Sequence, residues 1–259
     1  MKRRDFIHST TLAMAMPLVS QADQKTNALP MKRKLLVFGS GNFTSFLKHI
    51  IPFTQQENPK ICFIPTATGD SPNSITSWYT ACEGLPVKPF VLRTFISSYN
   101  TKKSFEETIM GMDAVFVGGG NTLNMLAIWK AQGIDISLRK AYDNGVLMTG
   151  GSAGSLCWFE SGTTDSRPIE LSKVECMGWI KGSHCPHFDG EEFRRPLYHD
   201  LIKKGELPPG YACDNQAGIY FEDEKFIKSV AINDKSFSYY VDVAGGKTTE
   251  TKLPTEILK

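Results

Sequence analysis

Residues 146–159 read Val146-Leu147-Met148-Thr149-Gly150-Gly151-Ser152-Ala153-Gly154-Ser155-Leu156-Cys157-Trp158-Phe159, and this stretch decides the fold class. A short apolar run enters a turn made of small residues, and an apolar helix start follows. Strand, tight turn and helix in that order form the βα step of an open α/β sheet. Working outward, residues 35–38, 61–64, 90–92 and 114–117 are similar short apolar runs, of the kind buried on both faces of a parallel sheet. Apolar residues at helical spacing fill the intervals around 43–51, 75–82, 105–110 and 123–142. Beyond Gly178 the runs at 217–221, 226–232 and 237–243 alternate with polar turns. They read as antiparallel strands that finish the sheet or form a small flank. The expectation is an α/β, doubly wound, mostly parallel sheet with helices on both faces and antiparallel strands toward the C-terminus.

The chain starts differently. Arg3-Arg4 stands ahead of an apolar stretch ending Ser20-Gln21-Ala22, which is the pattern of a cleaved leader of the twin-arginine type. The expected organisation is a leader over 1–22, a polar and mobile connection over 23–31, and one catalytic domain over 32–259. Export to the periplasm follows from that reading, with a cytoplasmic protein as the alternative. The leader carries Lys2, Arg3 and Arg4 against Asp5, so the net charge of +2 falls to zero without it. A neutral chain lacks the basic excess that nucleic-acid or membrane-surface binding requires. The six cysteines show no CxxC pair and lie largely in apolar runs, so they read as buried thiols.

G-x-S-x-G after a strand suits a nucleophile, because small neighbours let the backbone bend sharply under Ser152. A serine hydroxyl needs a base, and a base needs an orienting partner. Outside the leader the histidines are His49, His184, His187 and His199. His184 and His187 stand at a strand end, where a side chain can reach over the sheet edge. A second small-residue turn, Gly118-Gly119-Gly120-Asn121-Thr122, follows the 114–117 strand. It lacks G-x-G-x-x-G, so it reads as a donor of backbone N–H to an oxyanion rather than a dinucleotide site. Arg167, Arg194 and Arg195, with Asn121, are candidates for holding an acidic substrate side chain, since guanidinium grips carboxylate in two-pronged fashion.

Taken jointly, the Gly118–Thr122 turn, Gly150-Gly151-Ser152-Ala153-Gly154, Thr163-Thr164-Asp165, Cys185-Pro186-His187-Phe188 and Tyr211-Ala212-Cys213-Asp214 resemble peptidase E, the aspartyl dipeptidase family. Its fold is similar to that of class I glutamine amidotransferases. The resemblance implies Ser152 as nucleophile, His187 as base, Asp165 as orienting carboxylate, and the N–H groups of Gly120 and Ala153 as oxyanion hole. It implies hydrolysis of short peptides, such as dipeptides with an N-terminal acidic residue, with no cofactor and no metal. Cys185 stands where the family usually carries asparagine.

Other readings are a catalytically silent amidotransferase-like binding protein and a cyanophycinase-like hydrolase with the same triad. An α/β-hydrolase would place more chain than about 35 residues between Ser152 and His187. A metal set of His184, Cys185, His187 and Asp189 conflicts with strand geometry, which sends adjacent side chains to opposite faces.

Overall fold

The computed structural model describes residues 31–40, 43–95 and 102–258. The leader read over 1–22 and the connection up to residue 30 lie outside the described residues. The first half of the chain alternates as expected. Strands β1 (Lys34–Phe38), β2 (Lys60–Ile64), β3 (Lys88–Val91), β4 (Ala114–Val117) and β5 (Leu147–Gly151) are separated by helices α1 (Phe43–Thr54), α2 (Pro72–Cys82), α3 (Phe105–Met110), α4 (Thr122–Gln132) and α5 (Ile134–Asp143). The region read as one helix over 123–142 is two. Gly133 takes φ +69°, a left-handed conformation that ends α4 and starts α5.

After β5 come the single-turn helix α6 (Ala153–Leu156), then β6 (Phe159–Thr164), β7 (Ser172–Glu175), β8 (Ile180–Cys185) and α7 (Arg194–Lys203). The chain continues through β9 (Gly210–Cys213), β10 (Ala217–Glu222), β11 (Lys225–Ala231), β12 (Ser238–Ala244), β13 (Lys247–Lys252) and β14 (Thr255–Ile257). These elements form two sheets. The larger has the order β14-β11-β10-β1-β5-β4-β2-β3, with β1, β5, β4, β2 and β3 mutually parallel. Every residue of β4 is buried, as are Leu35 to Phe38 of β1, and all of these residues are apolar.

The expected C-terminal flank is larger than its apolar runs suggest. It is a six-stranded sheet, β13-β12-β9-β8-β6-β7, with β6, β8 and β9 parallel at its centre. Only β10, β11 and β14 finish the first sheet. Three apolar clusters follow this division: one on each face of the first sheet, and a third where Phe188, Tyr198, Leu201 and Ile202 pack on β9 and β12. The carboxyl ends of β4 and β5 in one sheet and of β8 and β9 in the other gather the residues of the candidate site.

Candidate active site

Ser152 sits where β5 ends and α6 begins, with φ +56° and ψ −120°. A non-glycine residue pays for that conformation, and the surroundings must over-determine it. They do so through glycine and through hydrogen bonds. A Cβ on Gly154 would lie 2.1 Å from the carbonyl oxygen of Val117, so only glycine lets α6 approach the end of β4 this closely. The carbonyl of Ser152 accepts from the amides of Ser155 and Leu156, both at 3.0 Å, and from the Ser155 hydroxyl at 2.8 Å.

The base is His187. Its Nε2 lies 2.8 Å from Ser152 Oγ, hydrogen-bonding distance for proton transfer. The imidazole is aimed by a turn: His187 has φ +54°, and its amide donates to the carbonyl of Gly39 at 3.2 Å. Its other nitrogen, Nδ1, donates to Oδ1 of Asn215 at 2.7 Å. That bond fixes the tautomer in which Nε2 is free to accept the serine proton.

The group on Nδ1 is therefore Asn215, and not Asp165 as the resemblance implies. Strand order explains the choice. β8 lies between β6 and β9, so the segments that follow β6 and β9 flank the end of β8 from opposite sides. Asp165 follows β6 and points outward, two-thirds exposed, with its carboxylate 3.9 Å from Arg194. Asn215 follows β9, where Asp189 Oδ1 accepts from its amide at 2.7 Å. A Cβ on Gly190 would lie 2.0 Å from Asn215 Nδ2, so glycine there makes room for the carboxamide. The neighbouring acid, Asp214, turns away. Its Oδ2 accepts from the Phe237 amide at 2.8 Å, its Oδ1 has no partner among the described residues, and burial raises its pKa to about 6.

The two small-residue turns face one another as the sequence suggests. β4 and β5 are neighbours in register, Val117 opposite Gly150, so the Gly118–Gly120 turn and Ala153 flank the same edge. Gly120 takes φ +131°, and a Cβ there would lie 2.5 Å from the carbonyl of Ala67. Gly118 to Gly120, Ser152 and His187 line a cavity of about 370 Å³, closed by Phe43, Phe63, Thr68 and Ser74. A larger cavity of about 930 Å³ opens beside α4, α5 and Trp179, and it contains neither Ser152 nor His187.

The four substrate contacts expected from the sequence are engaged elsewhere. Asn121 caps α4, accepting from the Asn124 amide at 2.9 Å and donating to the carbonyl of Ser166 at 3.0 Å. Arg167 donates to Ser172 Oγ and to the carbonyl of Lys173. Arg194 is 2 % exposed, bonded to Glu191 and to the carbonyl of Thr163. Arg195 pairs with Glu250 and covers the Phe188 ring at 4.6 Å. None of them lines the cavity at Ser152.

His184 is the other histidine of the strand end, and it is wholly buried. Its Nδ1 donates to the carbonyl of Tyr211 at 3.2 Å, and its Nε2 lies 3.0 Å from Ser155 Oγ. It stacks on Phe159 with centroids 4.5 Å apart, and burial pushes its pKa down to about 3. The set weighed for a metal thus diverges. His184 faces Ser155 and Tyr211, while His187 faces Ser152 and Asn215.

The sequence model of peptidase family S51 matches residues 35–229. A Bacillus subtilis (strain 168) protein named uncharacterized peptidase YgaJ is 39% identical over 232 residues, covering 87% of this chain and 99% of that protein. Two solved structures share the fold. A candidate peptidase E protein from Listeria monocytogenes EGD-e is 18% identical, with a TM-score of 0.58 over 78% of this chain and 100% of that one. A peptidase from an acI-B1 Actinobacterium is 17% identical, with a TM-score of 0.67 over 87% of this chain and 96% of that one.

Proposed function

The chain belongs to peptidase family S51, and on that footing we propose that it is a serine-type peptidase of short peptides in which Ser152 attacks the carbonyl and His187 carries the proton. The observation that supports this most strongly is the continuous bond path Ser152 Oγ to His187 Nε2, and His187 Nδ1 to Asn215 Oδ1. In the first step a lone pair of Ser152 Oγ bonds the peptide carbonyl carbon while Nε2 takes the hydroxyl proton. The imidazolium returns that proton to the leaving amine, and an acyl-enzyme remains. Water repeats the sequence and releases the acid.

In this scheme the N–H groups of Gly120 and Ala153 receive the oxyanion. Each such donor is worth roughly 3–4 kcal/mol in the transition state. Asn215 holds the imidazole through an amide oxygen. An amide fixes the tautomer but carries no full charge, so it supports the imidazolium less than a carboxylate does.

The leader enters the proposal in the same way. Arg3-Arg4 ahead of the apolar stretch supports export by the twin-arginine route, with residues 32–259 as the catalytic domain. Changing both arginines to lysine should retain the protein in the cytoplasm. Unchanged export of that double variant would reject the route.

The test of the catalytic reading is hydrolysis of a dipeptide panel by wild type and Ser152→Ala. Turnover that vanishes in the variant is expected. Equal turnover in both would mean that the chemistry lies elsewhere.

A further inference from the structure

The cavity beside Ser152 carries a specificity signal of its own, and the inference rests on Ser152 being the nucleophile. Of the side chains that line it, Phe43, Phe63, Thr68, Ser74 and Ser152 are uncharged, and His187 is committed to Ser152 and Asn215. The arginines that would have paired with a substrate carboxylate are held by Glu191, Glu250, Ser172 and backbone carbonyls.

One wall of the cavity is aromatic. Phe43 sits 5.4 Å from Phe63 and 5.8 Å from Trp78, and Phe63 stacks on Trp78 at 5.2 Å. Beneath it Trp78 and Phe116 are buried. A carboxylate seated against this wall would surrender its hydration and meet no full positive charge among the described residues that line the cavity. An aliphatic or aromatic side chain there removes apolar surface from water on both partners. The first turn of α2 contributes Ser74 and contains no lysine or arginine; the partial charge of a helix end is a weak substitute for a guanidinium.

We infer that the subsite beside Ser152 takes an uncharged, apolar or aromatic residue, so that peptides with leucine or phenylalanine at the first position are preferred over those with aspartate or glutamate. The preference is set by Phe43, Phe63, Thr68 and Ser74 rather than by an arginine.

Two readings on the same protein test this. Dipeptides that differ only in the first residue are compared for kcat/KM and for their power to slow labelling of Ser152 by a fluorophosphonate. Leu and Phe peptides should exceed Asp peptides by about tenfold or more in both readings. Ser74→Arg, and independently Thr68→Arg on the exposed rim, should raise the Asp-to-Leu ratio by about tenfold, because each supplies the missing cation. Asp peptides that are cleaved or that protect as well as Leu peptides in the wild type would overturn the inference while leaving Ser152 in place. No labelling of Ser152 at all would instead remove the serine reading, and this inference with it.

Discussion

His184 and His187 stand three residues apart at one strand end, and each has a serine hydroxyl within 3.0 Å of its Nε2, yet they sit in opposite environments. His184 is fully buried, stacked on Phe159, and pushed down to about 3 by loss of water. Its partner Ser155 is buried too, and the hydroxyl proton of Ser155 has a second acceptor in the carbonyl of Ser152. So weak a base in a closed space offers nothing to a substrate. His187 is half-buried and opens on the cavity with Ser152. The same pair of residue types is thus a brace in one place and, in the proposed function, a catalytic couple in the other. What separates them is access, and the group on the far nitrogen.

Removing each member of the two pairs breaks the comparison most sharply. Ser152→Ala and His187→Ala should each lower kcat/KM on the order of a thousandfold or more, and the double variant should be little worse, since the two act together. Their melting temperatures should stay near wild type. His184→Ala should show the reverse. It opens a cavity beside Phe159 and takes one hydrogen bond each from Ser155 Oγ and the Tyr211 carbonyl, at about 2–4 kcal/mol of stability. Assayed well below its melting point, it should keep activity within about tenfold of wild type. A dead but fully stable His184→Ala would contradict the division.

The partners on the far nitrogens give the next test. Asn215→Leu removes the acceptor for His187 Nδ1 and should cost about 10²-fold in kcat with KM little changed. Asp165→Ala removes an exposed carboxylate that does not reach His187 and should stay within about twofold. If the two results exchange places, Asp165 moves to the imidazole in the working enzyme. Gly190→Ala attacks the same bond indirectly by crowding the Asn215 carboxamide. A loss about a tenth as large as that of Asn215→Leu is expected from the same assay.

These residues also mark how far the chain is legible as sequence. The strands of the parallel core announce themselves because burial on both faces demands uninterrupted apolar runs, as in Ala114–Val117. Ser152 and the facing Gly118–Gly120 turn are equally plain, because sharp backbone turns need small residues. The second sheet is not. Its edge strands read Ser172–Glu175 and Lys247–Lys252, polar sequences held by pairing with β6 and β12 rather than by burial. Asn215 escapes because a search for the partner of a catalytic histidine looks for an acid. Asp165 and Asp214 both offer one, and only strand order shows that neither faces the ring. The arginines mislead for a related reason. Glu191 and Arg194 are spaced to pair along the chain, and they do so.

The smallest expected effect lies beside Asn215. Burial raises the pKa of Asp214 from the usual carboxylate range to about 6. The folded protein therefore binds this proton more tightly than the unfolded chain, and stability contributed here is present below about pH 4 and is lost as pH rises through about 6. Melting temperatures measured from pH 4 to 7 should fall less steeply in Asp214→Asn than in wild type. Identical slopes would show that Asp214 does not carry the effect.

The central claim is that Ser152 and His187, and not the buried Ser155 and His184, form the reacting pair. Mass-spectrometric mapping of fluorophosphonate labelling tests it most directly, in wild type, His187→Ala and His184→Ala measured side by side. The account predicts a single adduct on Ser152, formed on the order of a thousandfold more slowly without His187 and at a rate within about tenfold of wild type without His184. An adduct on any other residue, or a labelling rate indifferent to His187, would contradict it.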